Sequence, residues 1–242
     1  MSDVLLAARA DLEFLSNTGT IAISPMKPFT VLTAVAVPVK IDKIDTGMIL
    51  PGRFMRQHRR PGHDYSVAFL HDLRFDEKDV PRRDFSLNQG PYQGAEIMVV
   101  GADFGCGSSR EGAAYAVLDY GLRALVAPSF GEIFASNCLQ NGILPICLLP
   151  TAVDAIWRQL ETEPGCRITI DLPAQTLAAP DGSVHSFEIN QTRKDRLLRG
   201  LDDVDVTLQH SDAISNYETQ VRARKSWLTG HDAVQAAVGT GV

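Results

Sequence analysis

From Gly105 to Glu111 the chain reads Gly-Cys-Gly-Ser-Ser-Arg-Glu, placing two glycines, two hydroxyls and a guanidinium within seven residues. Glycines at 105 and 107 can adopt positive φ and let a ligand approach the backbone closely. A helix starting just beyond them would leave the N–H groups of residues 107–110 unpaired and pointing at an anion. Arg110 adds a planar fork that matches a carboxylate. These residue types suit the binding of a small acidic molecule. Three related motifs fail on spacing. A dinucleotide fingerprint needs a third glycine where Arg110 stands, and a phosphate loop needs a lysine. A nucleophile elbow centred on Ser109 needs glycine in place of Glu111. On spacing alone a plainer use stays open, in which Ser108 and Ser109 cap the following helix with help from Glu111.

Such a turn needs a strand before it and a helix after it. Glu96 to Val100 is a compact apolar run of strand length, and Glu111 to Tyr120 carries small residues at helical spacing, with Gly121 placed as the C-cap. Leu125 to Ala127 reads as the next strand, Phe130 to Leu139 as a helix N-capped by Ser129, and Ile143 to Leu149 as a third strand. Apolar strands alternating with helices of about ten residues imply a parallel sheet. Upstream, Phe29 to Val39 is a β-branched strand, followed by an expected turn at Asp42, Asp45 and Thr46. Gln57 to Asp64 reads as an exposed loop, and Arg56, Arg59 and Arg60 serve equally as a solvated basic face. Downstream, a helix over 152–160 precedes a half-exposed antiparallel hairpin over 167–172 and 186–189, then helices over 195–200 and 211–222. Residues 1–25 form an extension with a short amphipathic helix, and residues 229–242 a frayed tail.

The 45% hydrophobic and 21% charged shares are those of an ordinary globular protein, long enough to bury a sizeable core. A formal charge of −6 argues against a general nucleic-acid or anionic-membrane binder. No run of ~20 apolar residues is present, and the N-terminus lacks the basic region of a secretory signal, so a cytoplasmic protein is expected. The four cysteines, at 106, 138, 147 and 166, form no C-x-x-C pair, so neither a zinc knuckle nor a self-contained iron–sulfur site is expected. Free thiols in a reducing compartment are the simplest reading.

Several longer blocks carry a family likeness: DTGMILPGRF at 45–54, DFGCGSSRE at 103–111, LDYGLRALVAPSFGEIF at 118–134, NGILP at 141–145 and GLDDVDVTLQHSDAISNYE at 200–218. Together they make residues 26–222 resemble the small subunits of 3-isopropylmalate dehydratase, in the aconitase superfamily. The resemblance implies an α/β fold of the swivelling β/β/α type, with a parallel βαβαβ core and additional antiparallel strands, over residues 26–228. It implies a separate large subunit as partner, which supplies a [4Fe–4S] cluster, with no metal or cofactor held by this chain. The implied reaction interconverts 2-isopropylmalate and 3-isopropylmalate through an alkene, by loss and re-addition of water, in leucine biosynthesis.

By the same resemblance Ser108 is the base that takes the proton α to a carboxylate. Arg110 holds a substrate carboxylate, and Ser109, Asp45 and Thr46 line the pocket. Substrate-discriminating residues fall in the Arg53-Phe54-Met55-Arg56 stretch, where the cationic Arg56 would favour a more polar acid. Two positions depart from the family text. Gly47 stands where the family has a second aspartate, and Gly112 where it has histidine. Two alternatives follow: the same chemistry on another small diacid, such as citraconate or a dimethylmaleate, or a binding subunit without catalysis.

Overall fold

The computed structural model describes residues 26–56, 59 and 64–225. The expected helix within 1–25, most of the 57–64 loop and the 229–242 tail lie outside the described residues. The chain divides into two compact units, one running to Asp202 and the other beginning at Asp203.

The first unit is built on a seven-stranded sheet ordered β4-β3-β2-β1-β5-β6-β7. Its strands are β1 (Val31–Val39), β2 (Ile97–Val100), β3 (Ala124–Ala127), β4 (Leu144–Cys147), β5 (Arg167–Asp171), β6 (Thr176–Ala178) and β7 (Val184–Ser186). β1 to β4 run parallel, and β1 also pairs antiparallel with β5, which begins an antiparallel β5-β6-β7 meander. The expected hairpin is therefore three-stranded. The extra strand β6 is three residues long, too short to show an alternation in the sequence.

Every residue of β2 and β3 is buried, because both faces of the sheet are covered. Met98, Val100, Leu125 and Ala127 face one core, filled by Ala113 and Val117 of α3 (Gly112–Asp119) and Phe134 and Cys138 of α4 (Glu132–Gln140). That core also receives α1 (Thr46–Ile49), through Ile49, and Leu70, just ahead of α2 (His71–Arg74). Ile97, Val99, Ala124 and Val126 face the other core, covered by α5 (Pro150–Thr162) through Val153, Ile156, Trp157 and Leu160. Leu197 of α6 (Gln191–Arg199) joins that second core. Trp157 donates its indole N–H to the Val99 carbonyl at 2.9 Å, so the largest side chain of α5 is buried without an orphaned donor.

The expected cap of one helix is absent, and the alternative left open at another is decided. Ser129 does not cap α4, whose N-cap is Gly131 without a side-chain bond. The Ser129 hydroxyl instead donates to the Asp103 carboxylate and accepts the Asp103 N–H, both at 2.8 Å, tying the β3–α4 loop to the β2–α3 loop. α3 begins at Gly112, within one residue of the expected Glu111, with neither Ser108 nor Ser109 as its cap.

The second unit contributes α7 (Asp203–Leu208) and α8 (Ser211–Arg224), neither with a buried residue. Among the described residues no helix is long and apolar enough to cross a membrane.

Candidate active site

Because β1 and β2 are parallel and adjacent, the chain leaves both at the same edge of the sheet, where open α/β sheets bind ligands. The pairing continues past the strand ends. Gly105 donates its N–H to the Ile44 carbonyl at 2.7 Å, Thr46 donates to the Cys106 carbonyl at 3.0 Å, and Asp45 forms a parallel bridge with Cys106. Two loops far apart in sequence are thereby locked together.

Glycine is required where the turn bends. Gly105 has φ +74° with Phe134 directly beneath it, so a Cβ would overlap the aromatic ring. Gly107 follows at φ +93°. Both positive φ values match the sequence expectation. The helix does not follow at once, however. Residues 108–110 are irregular and exposed. The expected row of free N–H groups at 107–110 is not an intact helix terminus, and Ser108 N–H is taken by the Thr46 hydroxyl at 3.3 Å.

Asp45 caps α1 through its carboxylate, which accepts the Met48 N–H at 2.8 Å, and so fixes the residue that follows it. Thr46 is only 2% exposed. Its Oγ1 lies 2.7 Å from Ser108 Oγ. On the other side, Arg110 Nε donates to the same Ser108 Oγ at 2.7 Å. The capping role left open for Ser108 is thus replaced by this three-residue contact. A hydroxyl oxygen that accepts a charged donor is shifted towards its deprotonated form.

The rest of the Arg110 guanidinium is available. Nη1 touches the Met55 sulfur at 3.6 Å, and among the described residues no carboxylate pairs with it. A Cβ at Gly47 would lie 3.7 Å from Arg110 Nη2 and 3.1 Å from Asp45 Oδ1. The space beside the guanidinium is therefore open because residue 47 has no side chain. At Gly112, by contrast, a Cβ would press on Leu50 Cδ2 at 3.0 Å and approach Met55 Cε at 3.9 Å. Of the two departures, position 47 borders Arg110, whereas position 112 faces apolar packing.

The other expected site residues are more dispersed. Ser109 is exposed, with no side-chain hydrogen bond among the described residues. Arg53 is committed elsewhere: both of its terminal nitrogens bind the Asp72 carboxylate, and Nη2 also meets His71 Nδ1 at 3.1 Å. That hydrogen bonding raises the Arg53 pKa and holds the Asp72 carboxyl below its ordinary value. Arg56 is exposed at the end of a 3-10 turn over Phe54–Arg56. Arg59 is fixed to Asp119 through Nε at 3.0 Å and stacks over Tyr115, so it belongs to the scaffold. Met55 lies in the stretch expected to discriminate substrates, but its contact with Arg110 was not anticipated.

The cysteines do not converge. Cys106 is half-buried with its sulfur near the Lys43 carbonyl, Cys147 is exposed, and Cys138 is buried in α4, where burial pushes its thiol pKa up. Among the described residues no group of three His, Cys, Asp or Glu is arranged to hold a metal ion, so the donor set here does not fit a cluster.

Comparison with known proteins agrees with the geometry. The family model for the aconitase C-terminal domain matches residues 26–151, and a model named LeuD_N matches 154–191. A third model, for the C-terminal domain of the 3-isopropylmalate dehydratase small subunit, matches 203–231. A 3-isopropylmalate dehydratase small subunit from Rhodospirillum centenum is 43% identical over 205 residues, covering 85% of this chain and 100% of its own length. One from Neisseria gonorrhoeae is 42% identical over 212 residues, covering 84% and 99%. Among solved structures, a 3-isopropylmalate dehydratase from Methanocaldococcus jannaschii superposes with a TM-score of 0.55 at 24% identity, covering 77% of this chain and 99% of that one, a likeness of fold. The chain belongs to the family of 3-isopropylmalate dehydratase small subunits, with the aconitase-type swivelling domain.

Proposed function

We propose that this chain is the small, substrate-recognising subunit of a cytoplasmic hydro-lyase that interconverts 2-isopropylmalate and 3-isopropylmalate, in leucine biosynthesis, with a separate large subunit as partner. The observation that carries this reading is the Thr46–Ser108–Arg110 contact on an exposed turn at the carboxyl edge of the sheet. Arg110 Nη2, facing the open space at Gly47, binds a substrate carboxylate. Ser108 Oγ then takes the proton from the carbon α to that carboxylate. The C–H bond pair becomes the π bond of the alkene as hydroxide leaves the neighbouring carbon, and water returns to the other carbon in the reverse sense. A [4Fe–4S] cluster carried by the large subunit would supply the Lewis acid for that departure.

The turn's exposure supports the reading that a partner completes the site. Hydrogen bonds that favour an alkoxide are weakened by solvent and strengthened once water is excluded. The isolated chain is therefore expected to be inactive, and the pair with an iron-loaded large subunit active, measured by formation of the alkene from 3-isopropylmalate. Turnover by the iron-free isolated chain, or none by the assembled pair, would contradict the assignment. The missing acidic side chain at Gly47 beside Arg110 also motivates a second reading of the substrate, as another small diacid of the citraconate or dimethylmaleate type. Comparing kcat/KM across such diacids in the same assembled pair separates the two.

A further inference from the structure

Thr46 differs from the rest of the candidate site in being buried, at 2% exposure, while Ser108 and Arg110 face solvent. Its hydroxyl oxygen accepts the Ser108 N–H at 3.3 Å and lies 2.7 Å from Ser108 Oγ. Among the described residues, Ser108 Oγ is the one acceptor within reach of the Thr46 proton. Were Ser108 the donor in this pair, the Thr46 proton would be buried without an acceptor, which proteins avoid. Arg110 Nε already donates to the same oxygen from the opposite side.

We propose that Thr46 is a positioning residue for Ser108, donating its hydroxyl proton to Ser108 Oγ as the second of two donors that stabilise charge on that oxygen. The inference rests on the reading of Ser108 as proton acceptor. With both donors in place, the proton of neutral Ser108 is turned away from Thr46 and Arg110, towards the open side of the turn. Once that proton is lost to water, the oxygen keeps two hydrogen bonds, its free lone pair points outward, and the proton taken from substrate forms the new O–H bond there. The backbone bonds from Thr46 N to Cys106 O and from Gly105 N to Ile44 O hold the two loops in that register.

The test needs neither partner nor cluster. In the full chain carrying Ser108→Cys, the pH dependence of iodoacetamide alkylation, followed at the peptide containing residue 108, reports the pKa of the group held by Thr46 and Arg110. The thiol should titrate about one unit below the ordinary ~8.5, since donors to the thiolate favour it. Adding Thr46→Val, which keeps shape and removes the hydroxyl, should return the midpoint towards the ordinary value. Adding Thr46→Ser should leave it low. Equal midpoints with threonine and valine at position 46 would overturn the proposal. If circular dichroism shows that the valine variant does not fold, Thr46→Ala replaces it in the same comparison.

In the assembled pair, Thr46→Val should lower kcat about tenfold or more with KM within about twofold, and Thr46→Ser should recover most of that loss. A rise in KM at unchanged kcat would make Thr46 a substrate-binding group and contradict the positioning role. Full activity of Ser108→Ala would instead remove the reading of Ser108 itself, whereas the thiol titration depends on Thr46 and Arg110 alone.

Discussion

A serine hydroxyl is a poor base in neutral water, so what Ser108 can do depends on the groups that touch its oxygen. Here those are Arg110 Nε and the Thr46 hydroxyl, each at 2.7 Å. The turn that presents Ser108 depends in turn on Gly105, whose φ of +74° and packing over Phe134 leave no room for a side chain. Gly105→Ala should therefore cost about 2–3 kcal/mol or more, through strain at positive φ and overlap with the ring. The urea midpoint should fall while the m-value stays unchanged. A loss under about 0.5 kcal/mol would show that the turn does not need glycine there. At this scale the sequence was informative about residue type and silent about pairing. Gly105 and Gly107 were legible as positive-φ positions and Arg110 as a carboxylate fork from residue type and spacing, whereas the part given to Ser108 came from the family resemblance. That Thr46 would meet Ser108 across 62 residues depends on how two parallel strands align. That Arg53 would be claimed by Asp72 depends on a neighbour 19 residues away.

Among the elements, β1 to β4 were found within one or two residues because buried parallel strands leave unbroken β-branched and apolar runs. The start of α3 was also found within one residue, at Gly112 against Glu111, but the Gly-Ser-Ser stretch ahead of it is a loop and not a cap, because Thr46 engages Ser108. Ser129 was misread for a similar reason: Asp103 supplies a better partner than the helix end does. Between elements, the Arg53–Asp72 pair joins the turn after α1 to α2. Hydrogen bonding by Arg53 depresses the Asp72 pKa in the folded chain. A carboxylate depressed in this way contributes stability above its unfolded pKa of ~4, and that contribution is lost as pH falls through the folded value. Because the side chains are 53% and 57% exposed, solvent screening limits the gain to at most about 1 kcal/mol. Asp72→Asn should lower stability by up to that amount near pH 7 and by progressively less as acid protonates Asp72, as measured by urea unfolding at neutral and at acidic pH. An equal loss at both would mean that packing, and not charge, is what Asp72 supplies.

In the whole molecule, the sheet strands covered on both faces make a rigid base, and the proposed site lies at one edge of it. The doubly buried β2 and β3 fix the loops at 101–111 and 128–131, while the groups that would meet substrate face outward. On the proposed reading, this edge supplies half of a site and the large subunit the other half. That Ser108 accepts the proton in the assembled enzyme is the proposal on which the mechanism rests. It is tested most directly by comparing alkene formation from 3-isopropylmalate in the assembled pair with and without Ser108→Ala. The two preparations are matched for partner binding by co-elution and for cluster content by iron analysis. Loss of a positioned general base should lower kcat by about 10²- to 10⁴-fold while assembly is unchanged. Turnover within about twofold of the unsubstituted pair would contradict the account.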